Sequence, residues 1–239
     1  MTLAEQISTP AFKKQFNLDL FTRVAHEYDL ATRMMSLGGD ARWKQMLVEA
    51  LPDHTAPHCV DVACGTGDVT LELARRYPDG NIIGLDLTPA MIDVAKARAT
   101  GSHNVQFRVT DMCKTGLPDS SVDMVTGSYA LRNAPTLTDA LAEIHRILKP
   151  GGTAAFLDFS KSPNKFLQAI QLPVLKTWGA FWGIVVHGRP EHAYIAESLR
   201  LFPDIHEFQR QLEASGFQIQ RSRLFYLGTL QLTVLRRRN

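Results

Sequence analysis

Residues Cys59 to Asp68 read CVDVACGTGD, and this stretch decides how the rest of the chain can fold. A short apolar run carries one acid, Asp61, and then breaks at Gly65-Thr66-Gly67 before a segment that can form a helix. This order predicts a strand, a tight turn and the start of a helix. Glycines let backbone amides approach a ligand where a Cβ would block them. The first N–H groups of the following helix are also unpaired, so the stretch predicts a ligand-binding turn.

Short apolar runs alternate with helical runs on the C-terminal side of this turn. The expected strands are 59–63, 81–87, 105–110, 124–128 and 154–158, and the expected helices are 68–77, 89–99 and 137–148. Lys149-Pro150-Gly151-Gly152 predicts a turn before the fifth strand. Two last runs, 218–226 and 230–235, are joined so closely that they predict an antiparallel hairpin. We therefore expect an α/β fold with a doubly wound, mostly parallel seven-stranded sheet and helices on both faces.

Two further regions of the chain are predicted to be helical. Residues 1–50 are expected to form an N-terminal helical cap, because apolar side chains recur at helical spacing in two runs separated by Gly38-Gly39. This cap either only packs on the main domain or also covers a ligand site as a lid. Residues 51–239 are expected to form a Rossmann-like domain with a helical insertion at about 160–203 that covers the acceptor. Its helices are expected at 166–184 and 191–201, and a further helix at 204–214.

Composition limits the class of protein. A net charge of +2 over 239 residues gives no general argument for nucleic-acid binding. The three cysteines are an odd number without metal-like spacing, which favours free thiols in a reducing compartment and no metal site. Residues 1–20 lack the apolar core of a signal peptide, and the apolar stretch 166–186 is interrupted by Pro173 and Lys176. We therefore expect a cytoplasmic protein.

The residues around the glycine turn exclude two common phosphate-binding motifs. A dinucleotide fingerprint requires a third glycine where Thr70 stands. A phosphate-binding loop requires Gly-Lys-Ser/Thr, whereas this chain has Gly67-Asp68-Val69. Two acids, Asp61 and Asp68, flank the turn. Carboxylates at this place repel a pyrophosphate and suit a ligand that carries positive charge.

Acids also end the next two strands and indicate the nature of the ligand. Asp86 lies about 20 residues after Gly67, where an acid can accept hydrogen bonds from both ribose hydroxyls. Asp111 is followed by Met112, and this pair can bind an adenine amino group and cover the ring. Together these residues predict a pocket for an adenosine without phosphates that bears a cationic tail. S-adenosylmethionine has this structure.

Further motifs extend the pattern over most of the chain. They are Tyr28-Asp29, Met35-Ser36, Arg42-Trp43-Lys44, Gly84-Leu85-Asp86, Leu131-Arg132-Asn133, Lys149-Pro150-Gly151-Gly152, Asp158-Phe159-Ser160, Glu197-Ser198 and Phe202-Pro203. With these motifs the chain resembles class I S-adenosylmethionine-dependent methyltransferases and, more narrowly, the ubiquinone/menaquinone biosynthesis C-methyltransferase family. The glycine turn alone is typical of the whole superfamily, whereas Leu131-Arg132-Asn133 with its flanking blocks is much more specific.

The resemblance implies contacts with S-adenosylmethionine in the turn and at the ends of the first four strands. These contacts fall on Asp61 and Gly65 at the methionine end, Thr66 in the turn, Asp86 at the ribose, Asp111 and Met112 at the adenine, and Ser128 after the fourth strand. Their neighbours Ala63, Gly67, Leu87 and Met91 complete the expected cofactor-binding set. Cys64 is expected to be a small packing residue, since methyl transfer needs no covalent intermediate on the protein.

The family acts on a hydroquinone or phenolic ring, and such an acceptor implies a cation and a base. Loss of the phenolic proton moves negative charge onto the ortho carbon, which then attacks the methyl group. Arg132, just past the C-terminal end of the fourth strand, is predicted to stabilise the phenolate. Asn133 is predicted to orient Arg132 or to bind the ring oxygen. The base is expected among four candidates, which are His187, His192, Tyr194 and Asp29.

Several alternatives stay open from the sequence. Trp178, Phe181 and Trp182 either line an aromatic or isoprenoid pocket or pack in a helix core. The chain departs from its family at Tyr129-Ala130 and in the C-terminal hairpin. The acceptor could therefore be a polyketide or another secondary metabolite, methylated at carbon or oxygen. A third reading is a non-catalytic cofactor-binding regulator, and both a homodimer and a peripheral membrane contact stay open.

Overall fold

A computed structural model describes residues 9–238 of the chain, so the first eight residues of the predicted cap lie outside the described residues. Within the described residues, three helices precede the sheet, namely α1 (Pro10–Val24), α2 (Tyr28–Met35) and α3 (Asp40–Glu49). The strands are β1 (His58–Val62), β2 (Asn81–Asp86), β3 (Val105–Val109), β4 (Val122–Ser128), β5 (Leu148–Phe159), β6 (Phe217–Phe225) and β7 (Leu230–Arg237). The remaining helices are α4 (Asp68–Arg76), α5 (Pro89–Arg98), α6 (Leu137–Ile147), α7 (Lys165–His187), α8 (Tyr194–Leu201) and α9 (Ile205–Ala214).

The seven strands form one sheet in the order β3-β2-β1-β4-β5-β7-β6. The first five strands run parallel, and β7 lies antiparallel between β5 and β6. The predicted fold, including the antiparallel hairpin at the C-terminus, is thereby confirmed. The strand order reverses between β1 and β4, and parallel sheets bind ligands at the carboxyl ends of their strands beside such a reversal. The glycine turn follows β1 at this place.

The sheet core is apolar on both faces, as expected for parallel strands covered by helices. Val60 and Val62 on β1 are at most 1% exposed and pack with Leu141 and Ile144 of α6 on one face. On the other face, Cys59 of β1 belongs to a second apolar cluster with residues of α3 and α4. The central strands are therefore rigid supports for the turn that follows β1.

Local chemistry explains where the elements depart from the predicted ones. The predicted turn at 149–152 is a bulge within β5, because the register shifts between the pairs Val122–Leu148 and Met124–Thr153. Gly151 has a φ of +75° there. The predicted helix 191–201 begins with a 3₁₀ turn, Glu191–Ala193, before α8. The two helical runs before residue 50 form three helices, because the chain bends after Val24.

Helix α7 continues through Pro173, although the ring removes one backbone hydrogen bond. Its ends are well capped, which compensates for that loss. The Asn164 side chain accepts hydrogen bonds from two backbone amides, and Gly188 ends the helix in the left-handed conformation. Among residues 9–238, α7 is the one helix long and apolar enough to cross a membrane by length and composition, with a mean hydropathy of 1.3. Only 17% of that apolar window is buried in the protein.

Candidate active site

Two adjoining cavities lie at the carboxyl ends of the strands, beneath the N-terminal helices. The glycine-turn cavity has a volume of about 70 Å³ and is bordered by residues that follow β1, β2, β3 and β4. The aromatic cavity has a volume of about 230 Å³ and lies between α1, α2, α7, α8 and the β6–β7 hairpin. Four residues line both cavities, namely Phe21, Tyr28, Tyr129 and Asn133. A ligand in one cavity is therefore in contact with the wall of the other.

Most of the predicted cofactor-binding residues line the glycine-turn cavity. They are Ala63, Gly65, Asp86, Leu87, Met91, Asp111, Met112 and Ser128. Sequence reasoning missed eight further residues of the wall, namely Lys14, Asn17, Thr88, Thr110, Pro135 and the shared Phe21, Tyr28 and Tyr129. Thr88 directly follows the predicted strand 81–87 and Thr110 ends the predicted strand 105–110, so both could have been found from the strand ends. Lys14 and Asn17 come from α1, and nothing in their local sequence indicates this contact.

The glycine turn leaves room for a ligand beside Gly65. Its φ is +55°, and no atom lies within 4 Å of the place that a Cβ would occupy. The Gly65 amide donates to Asp86 Oδ2 at 2.9 Å, and the Thr88 amide donates to Asp86 Oδ1 at 2.8 Å. Each carboxylate oxygen keeps a further lone pair, which can accept a hydroxyl. Burial raises the pKa of Asp86 above its ordinary value, so hydrogen-bond donors at this place are favourable.

The opposite end of the glycine-turn cavity is closed by an ion pair. Asp111 Oδ1 accepts the Cys113 amide at 2.9 Å, and Lys14 Nζ lies 2.6 Å from Asp111 Oδ2. Although burial opposes it, the hydrogen bond from Lys14 holds the pKa of Asp111 below its ordinary value. Met112 lies beside this acid in the cavity wall. The cavity therefore has Asp111 and Met112 at one end and Asp86 at the other. This arrangement fits an adenosine whose amino group lies at Asp111 and whose ribose hydroxyls lie at Asp86.

Three predicted cofactor residues, Asp61, Thr66 and Gly67, do not line the cavity and instead support the turn. Asp61 is 1% exposed and accepts hydrogen bonds from the Thr70 and Thr126 hydroxyls at 2.7 and 2.8 Å. Burial raises the pKa of Asp61 to about 7. The acid is therefore held under the turn by two hydroxyl donors and does not line the cavity.

Gly67 is a packing position. With a φ of +87°, a Cβ on this residue would lie 3.0 Å from Phe107 and 3.2 Å from Ala95. A Cβ on Gly84 of β2 would lie even closer to the Phe107 ring, at 2.6 Å. The two glycines thus let the turn and β2 settle onto one aromatic side chain.

Thr66 is a predicted cofactor contact and Asp29 is a predicted base. In the structure their side chains are hydrogen-bonded to each other. The Thr66 hydroxyl donates to Asp29 Oδ1, while Arg98 lies 2.8 Å from Asp29 Oδ2 and donates to the Thr66 carbonyl at 3.0 Å. Neither Asp29 nor Thr66 lines either cavity. The contact instead joins α2 to the glycine turn.

A chain of ion pairs continues this connection between the N-terminal helices and the sheet domain. Lys44 on α3 is 7% exposed and lies 2.6 Å from Asp40 and 2.8 Å from Asp68. Arg98 on α5 pairs with both Asp68 and Asp29. Burial alone would lower the pKa of Lys44, but the two carboxylates raise it above its ordinary value. The helices α2 and α3 are therefore held by charge over the start of α4.

Arg132 lies in the wall of the aromatic cavity and is 4% exposed. Its backbone amide and Nε donate to the two Asp158 oxygens at 3.0 and 3.3 Å, and Nη1 donates to the Ser198 hydroxyl. The guanidinium also lies over the Phe159 and Tyr194 rings, 5.6 and 6.0 Å from their centroids. A buried cation thus faces an aromatic space, with one carboxylate behind it.

Asn133 and Tyr194 contribute polar groups to the same region. Asn133 Nδ2 donates to the Tyr129 carbonyl at 2.8 Å, and its Oδ1 accepts from Arg132 at 3.3 Å. Tyr194 is 2% exposed, and burial raises its pKa to about 12. Within residues 9–238 its hydroxyl makes no hydrogen bond of good geometry, although it interacts with the side chain of Asn17, whose buried Oδ1 is also without such a bond. The Tyr194 hydroxyl is therefore a donor that a ligand can use.

The two histidine candidates differ in position. His192 lines the aromatic cavity and is 7% exposed, whereas His187 borders a separate outer groove at the end of α7. Their Nε2 atoms lie 3.1 Å apart. His187, although also a predicted base, therefore reaches the aromatic cavity only through His192.

The aromatic run of α7 contributes one side chain to the cavity. Trp178 lines it and donates from Nε1 to the Met35 carbonyl at 3.0 Å, while Phe181 and Trp182 do not line it. Trp43 and Tyr226, which the sequence reasoning missed, border it and share a hydrogen bond of 3.0 Å. These contacts come from segments far apart in the chain, so no local pattern indicates them. Within residues 9–238, no group of three His, Cys, Asp or Glu side chains could hold a metal ion.

Comparison with known proteins gives consistent matches. The model of the ubiE/COQ5 methyltransferase family matches residues 11–232. The ubiquinone/menaquinone biosynthesis C-methyltransferase of Dinoroseobacter shibae is 33% identical over 217 residues, which cover 89% of this chain and 87% of the relative. The demethylmenaquinone methyltransferase of Symbiobacterium thermophilum is 31% identical, over 96% of this chain and 95% of the relative.

Solved structures agree in fold. An S-adenosylmethionine-dependent methyltransferase from Aquifex aeolicus superposes with a TM-score of 0.60 at 16% identity and covers 86% of this chain and 97% of that one. Another from Mesorhizobium loti gives a TM-score of 0.62 at 19% identity, over 84% of this chain and 100% of that one. At such identities the likeness concerns the fold alone.

Proposed function

Since this chain belongs to the ubiE/COQ5 methyltransferase family and is an S-adenosylmethionine-dependent methyltransferase, we propose that it methylates a ring carbon of a hydroquinone or related phenol. The observation that carries this proposal is the buried guanidinium of Arg132 in the wall of an aromatic cavity that adjoins the glycine-turn cavity. A cation in an apolar site stabilises a phenolate far more than it would in water.

The glycine-turn cavity is proposed as the donor site. Asp86 would bind the ribose hydroxyls, Asp111 the adenine amino group, and Gly65 would leave room for the backbone-proximal end of the ligand. Asp61, beneath the turn, would favour the cationic tail through its charge. When bound, S-adenosylmethionine supplies an electrophilic methyl group on a sulfonium sulfur. The protein's own contribution is to hold donor and acceptor in line, which can account for much of the rate.

The aromatic cavity is proposed as the acceptor site. Its walls are mostly apolar and aromatic, and its polar groups converge on one side, at Arg132, Asn133 and Tyr194. Such a pocket fixes the orientation of an aromatic ring through few hydrogen bonds. The Tyr194 hydroxyl can donate to a ring oxygen, since it makes no hydrogen bond of good geometry among the described residues. Both relatives named above act, by their names, in quinone biosynthesis, which supports a hydroquinone over other phenols.

We also propose that the mouth of the aromatic cavity faces a lipid surface. Side chains on α7 expose apolar groups in a row, with Phe166 73%, Val174 54% and Phe181 53% exposed. Leu37 between α2 and α3 is 80% exposed, and Leu227 in the β6–β7 hairpin is 77% exposed. Such a surface on a protein marks an interaction site.

The position of the cavity mouth favours lipid as the occupant of this surface. Trp178 and Tyr226 both line the cavity and are exposed, at 38% and 61%, so they lie at its mouth. Aromatic residues with one polar end are favoured at membrane interfaces. A second copy of the chain is the competing occupant, and it would make the protein a homodimer. The three free cysteines support the proposed cytoplasmic location, where thiols stay reduced.

The proposal is tested with purified protein, labelled S-adenosylmethionine and a prenylated hydroquinone. We expect a product that carries one added methyl group, attached to a ring carbon as judged by nuclear magnetic resonance. The Arg132→Lys variant should lose about 10²- to 10³-fold in kcat, because a lysine cannot reproduce the planar contacts of the guanidinium. Donor affinity by calorimetry should stay unchanged, and Arg75→Lys, at an exposed position, should behave as wild type.

Two outcomes would change the assignment. An O-methylated product, or turnover only with a polyketide phenol, would favour the secondary-metabolite acceptor. Full turnover of the Arg132→Lys variant would show that the guanidinium does not stabilise the acceptor.

A further inference from the structure

Methylation of a neutral phenol by a sulfonium donor releases one proton per turnover, and the aromatic cavity contains few groups that can take it. Its titratable side chains, among the described residues, are Tyr28, Tyr129, Arg132, His192, Tyr194 and Tyr226. An arginine stays protonated in proteins, and a phenol carries its proton at neutral pH. Burial raises the pKa of Tyr28 and Tyr194 to about 12 and that of Tyr129 well above its ordinary value. An imidazole is the one group in this set that ordinarily accepts a proton near neutral pH.

The backbone is built to bring His192 to the cavity. Gly179 lies in the middle of α7, where a glycine is less favourable than an alanine. A Cβ on Gly179 would lie 2.4 Å from the His192 carbonyl oxygen and 2.8 Å from its carbonyl carbon. The missing side chain therefore lets the 3₁₀ turn that carries His192 pack directly on α7.

His192 also has a connection to the outside of the protein. Its Nε2 lies 3.1 Å from Nε2 of His187, the last residue of α7. His187 lines an outer groove with Arg23, Glu27 and Arg189, whereas it does not line the aromatic cavity. Two imidazoles that meet through their Nε2 atoms share one proton, because one ring must donate and the other accept.

We propose that His192 is the general base for the acceptor hydroxyl and that His187 passes the released proton to the outer groove. This relay rests on the proposed function, since it needs a phenolic acceptor in the aromatic cavity. His192 touches the acceptor and is a catalytic residue. His187 acts through His192, because it orients the His192 ring and takes the proton from it.

The step balances in protons and electrons. The acceptor O–H bond breaks, its electron pair stays on oxygen, and the proton binds the His192 nitrogen that does not face His187. The proton on His192 Nε2 moves to Nε2 of His187. The ring carbon uses its electron pair to form the new bond to methyl, and the donor sulfur keeps the pair of the bond that breaks. The ring C–H bond then breaks, its electron pair restores aromaticity, and its proton passes to the acceptor oxygen, so one proton in total leaves through His187.

The charges near the pair act on the proton at both ends of its path. In the cavity, the Arg132 cation favours the phenolate that remains when the proton has left. In the groove, Glu27 can attract the proton while Arg23 and Arg189 repel it. His187 is also the last residue of α7, and the helix dipole favours a cation at this end of a helix.

One test does not depend on methylation. 4-Nitrophenol, whose ionised form is yellow, is bound to the full chain, and its apparent pKa in the complex is measured by absorbance. Wild type should lower this apparent pKa through Arg132 and His192 together, and His192→Gln should keep only the part of the shift that Arg132 causes. Arg132 stays in both proteins, so its effect cancels. An equal shift in wild type and His192→Gln overturns the assignment of His192, whatever the natural acceptor is.

A second test uses turnover and separates a relay from a structural role. His192→Gln should reduce kcat about 10²- to 10³-fold, within the range for one general base. His187→Ala should reduce kcat about tenfold, shift the acid limb of the pH profile, and recover when imidazole is added, because the groove is open. The exposed His206→Gln is the matched control and should be unaffected. If His187→Ala keeps the wild-type pH profile and is not rescued, the relay is wrong while the proposed function stands.

Discussion

The Lys14 ammonium lies 2.6 Å from the Asp111 carboxylate, so helix α1 is tied across one end of the glycine-turn cavity. Lys14 is 46% exposed and Asp111 19% exposed, so this ion pair is accessible to salt. Exposed pairs of this kind contribute at most about 1 kcal/mol. The contact is therefore suited to be broken and formed again as a ligand enters or leaves.

Replacing Lys14 by glutamine should speed donor release. Without the ion pair, α1 is less firmly held over the cavity, and the dissociation rate of S-adenosylmethionine should rise about 2- to 5-fold. Stopped-flow fluorescence measures this rate, and the difference from wild type should shrink at high salt. The exposed Lys96→Gln variant is the control. A wild-type rate in Lys14→Gln would mean that α1 does not gate the cavity.

The two glycines of the turn should respond differently to alanine. Gly67→Ala brings a Cβ to 3.0 Å from Phe107 at a positive φ, so it should lower the free energy of unfolding by about 2–3 kcal/mol. Gly65→Ala meets no atom within 4 Å and should cost only about 1 kcal/mol in backbone strain. Its methyl group enters ligand space, however, and should weaken donor binding at least tenfold.

Urea unfolding and calorimetry together check this contrast. Each variant is the control for the other, since both change one glycine of the same turn to alanine. Equal losses of stability in the two variants would contradict the separate roles of Gly65 and Gly67.

Asp61 should make stability depend on pH. Burial raises its pKa in the folded protein to about 7, above the ordinary value of about 4. Because the folded pKa is raised, stability is fully present below pH 4 and is lost as pH rises toward 7. The Asp61→Asn variant has no carboxyl to ionise at this place and so avoids this loss of stability. Its free energy of unfolding at pH 8 should therefore exceed that of wild type by roughly 2–4 kcal/mol. The two should differ little near pH 4.

Urea unfolding at pH 4.5, 6 and 8 measures the effect of Asp61→Asn. The exposed Asp79→Asn is the matched control and should show no such window. Donor affinity should fall in Asp61→Asn, since the charge under the cationic tail is gone. A wild-type pH dependence in Asp61→Asn would show that this carboxyl is ionised in the folded protein at pH 5.

The exposed row on α7 should determine binding to lipid. A double change, Phe166→Glu with Phe181→Glu, places charge on two side chains that are 73% and 53% exposed. Folding should be unaffected, whereas the fraction that sediments with anionic phospholipid vesicles should fall at least tenfold. Val109→Glu, at a position 51% exposed on the edge strand β3, is the control.

Analytical ultracentrifugation distinguishes lipid from a second copy of the chain. If wild type is a dimer that the double variant splits, and neither protein binds vesicles, the row is an interface between copies. A monomer that loses vesicle binding with the double change supports the lipid surface.

The strand ends and the turn could be predicted because their chemistry is local. Asp86 and Asp111 follow apolar runs, and parallel strands bring their carboxyl ends to one edge, so both acids reach the same cavity. Which of these side chains face the cavity and which lie beneath it could not be predicted in the same way. Asp61 and Thr66 belong to the same motif as Gly65, but the sharp turn aims their side chains beneath the cavity.

The roof of the site depends on how helices dock, and sequence patterns do not encode this. Lys14 and Tyr28 reach the cavities through the angles at which α1 and α2 cross the sheet edge. Asp29 is a predicted base that lines neither cavity although the adjacent Tyr28 lines both, because successive positions on a helix point in different directions. The histidines show the same limit, since the 3₁₀ turn directs His192 and not His187 inward.

The wall that the two cavities share has a thermodynamic consequence. Phe21, Tyr28, Tyr129 and Asn133 each border both spaces. Any shift of these side chains on filling one space alters the free energy of filling the other. By linkage, the factor by which the acceptor changes donor affinity equals the factor by which the donor changes acceptor affinity. The donor that has lost its methyl group has a different factor, which couples its affinity to that of the methylated acceptor. Through the same four residues, the release of one product can therefore promote the release of the other.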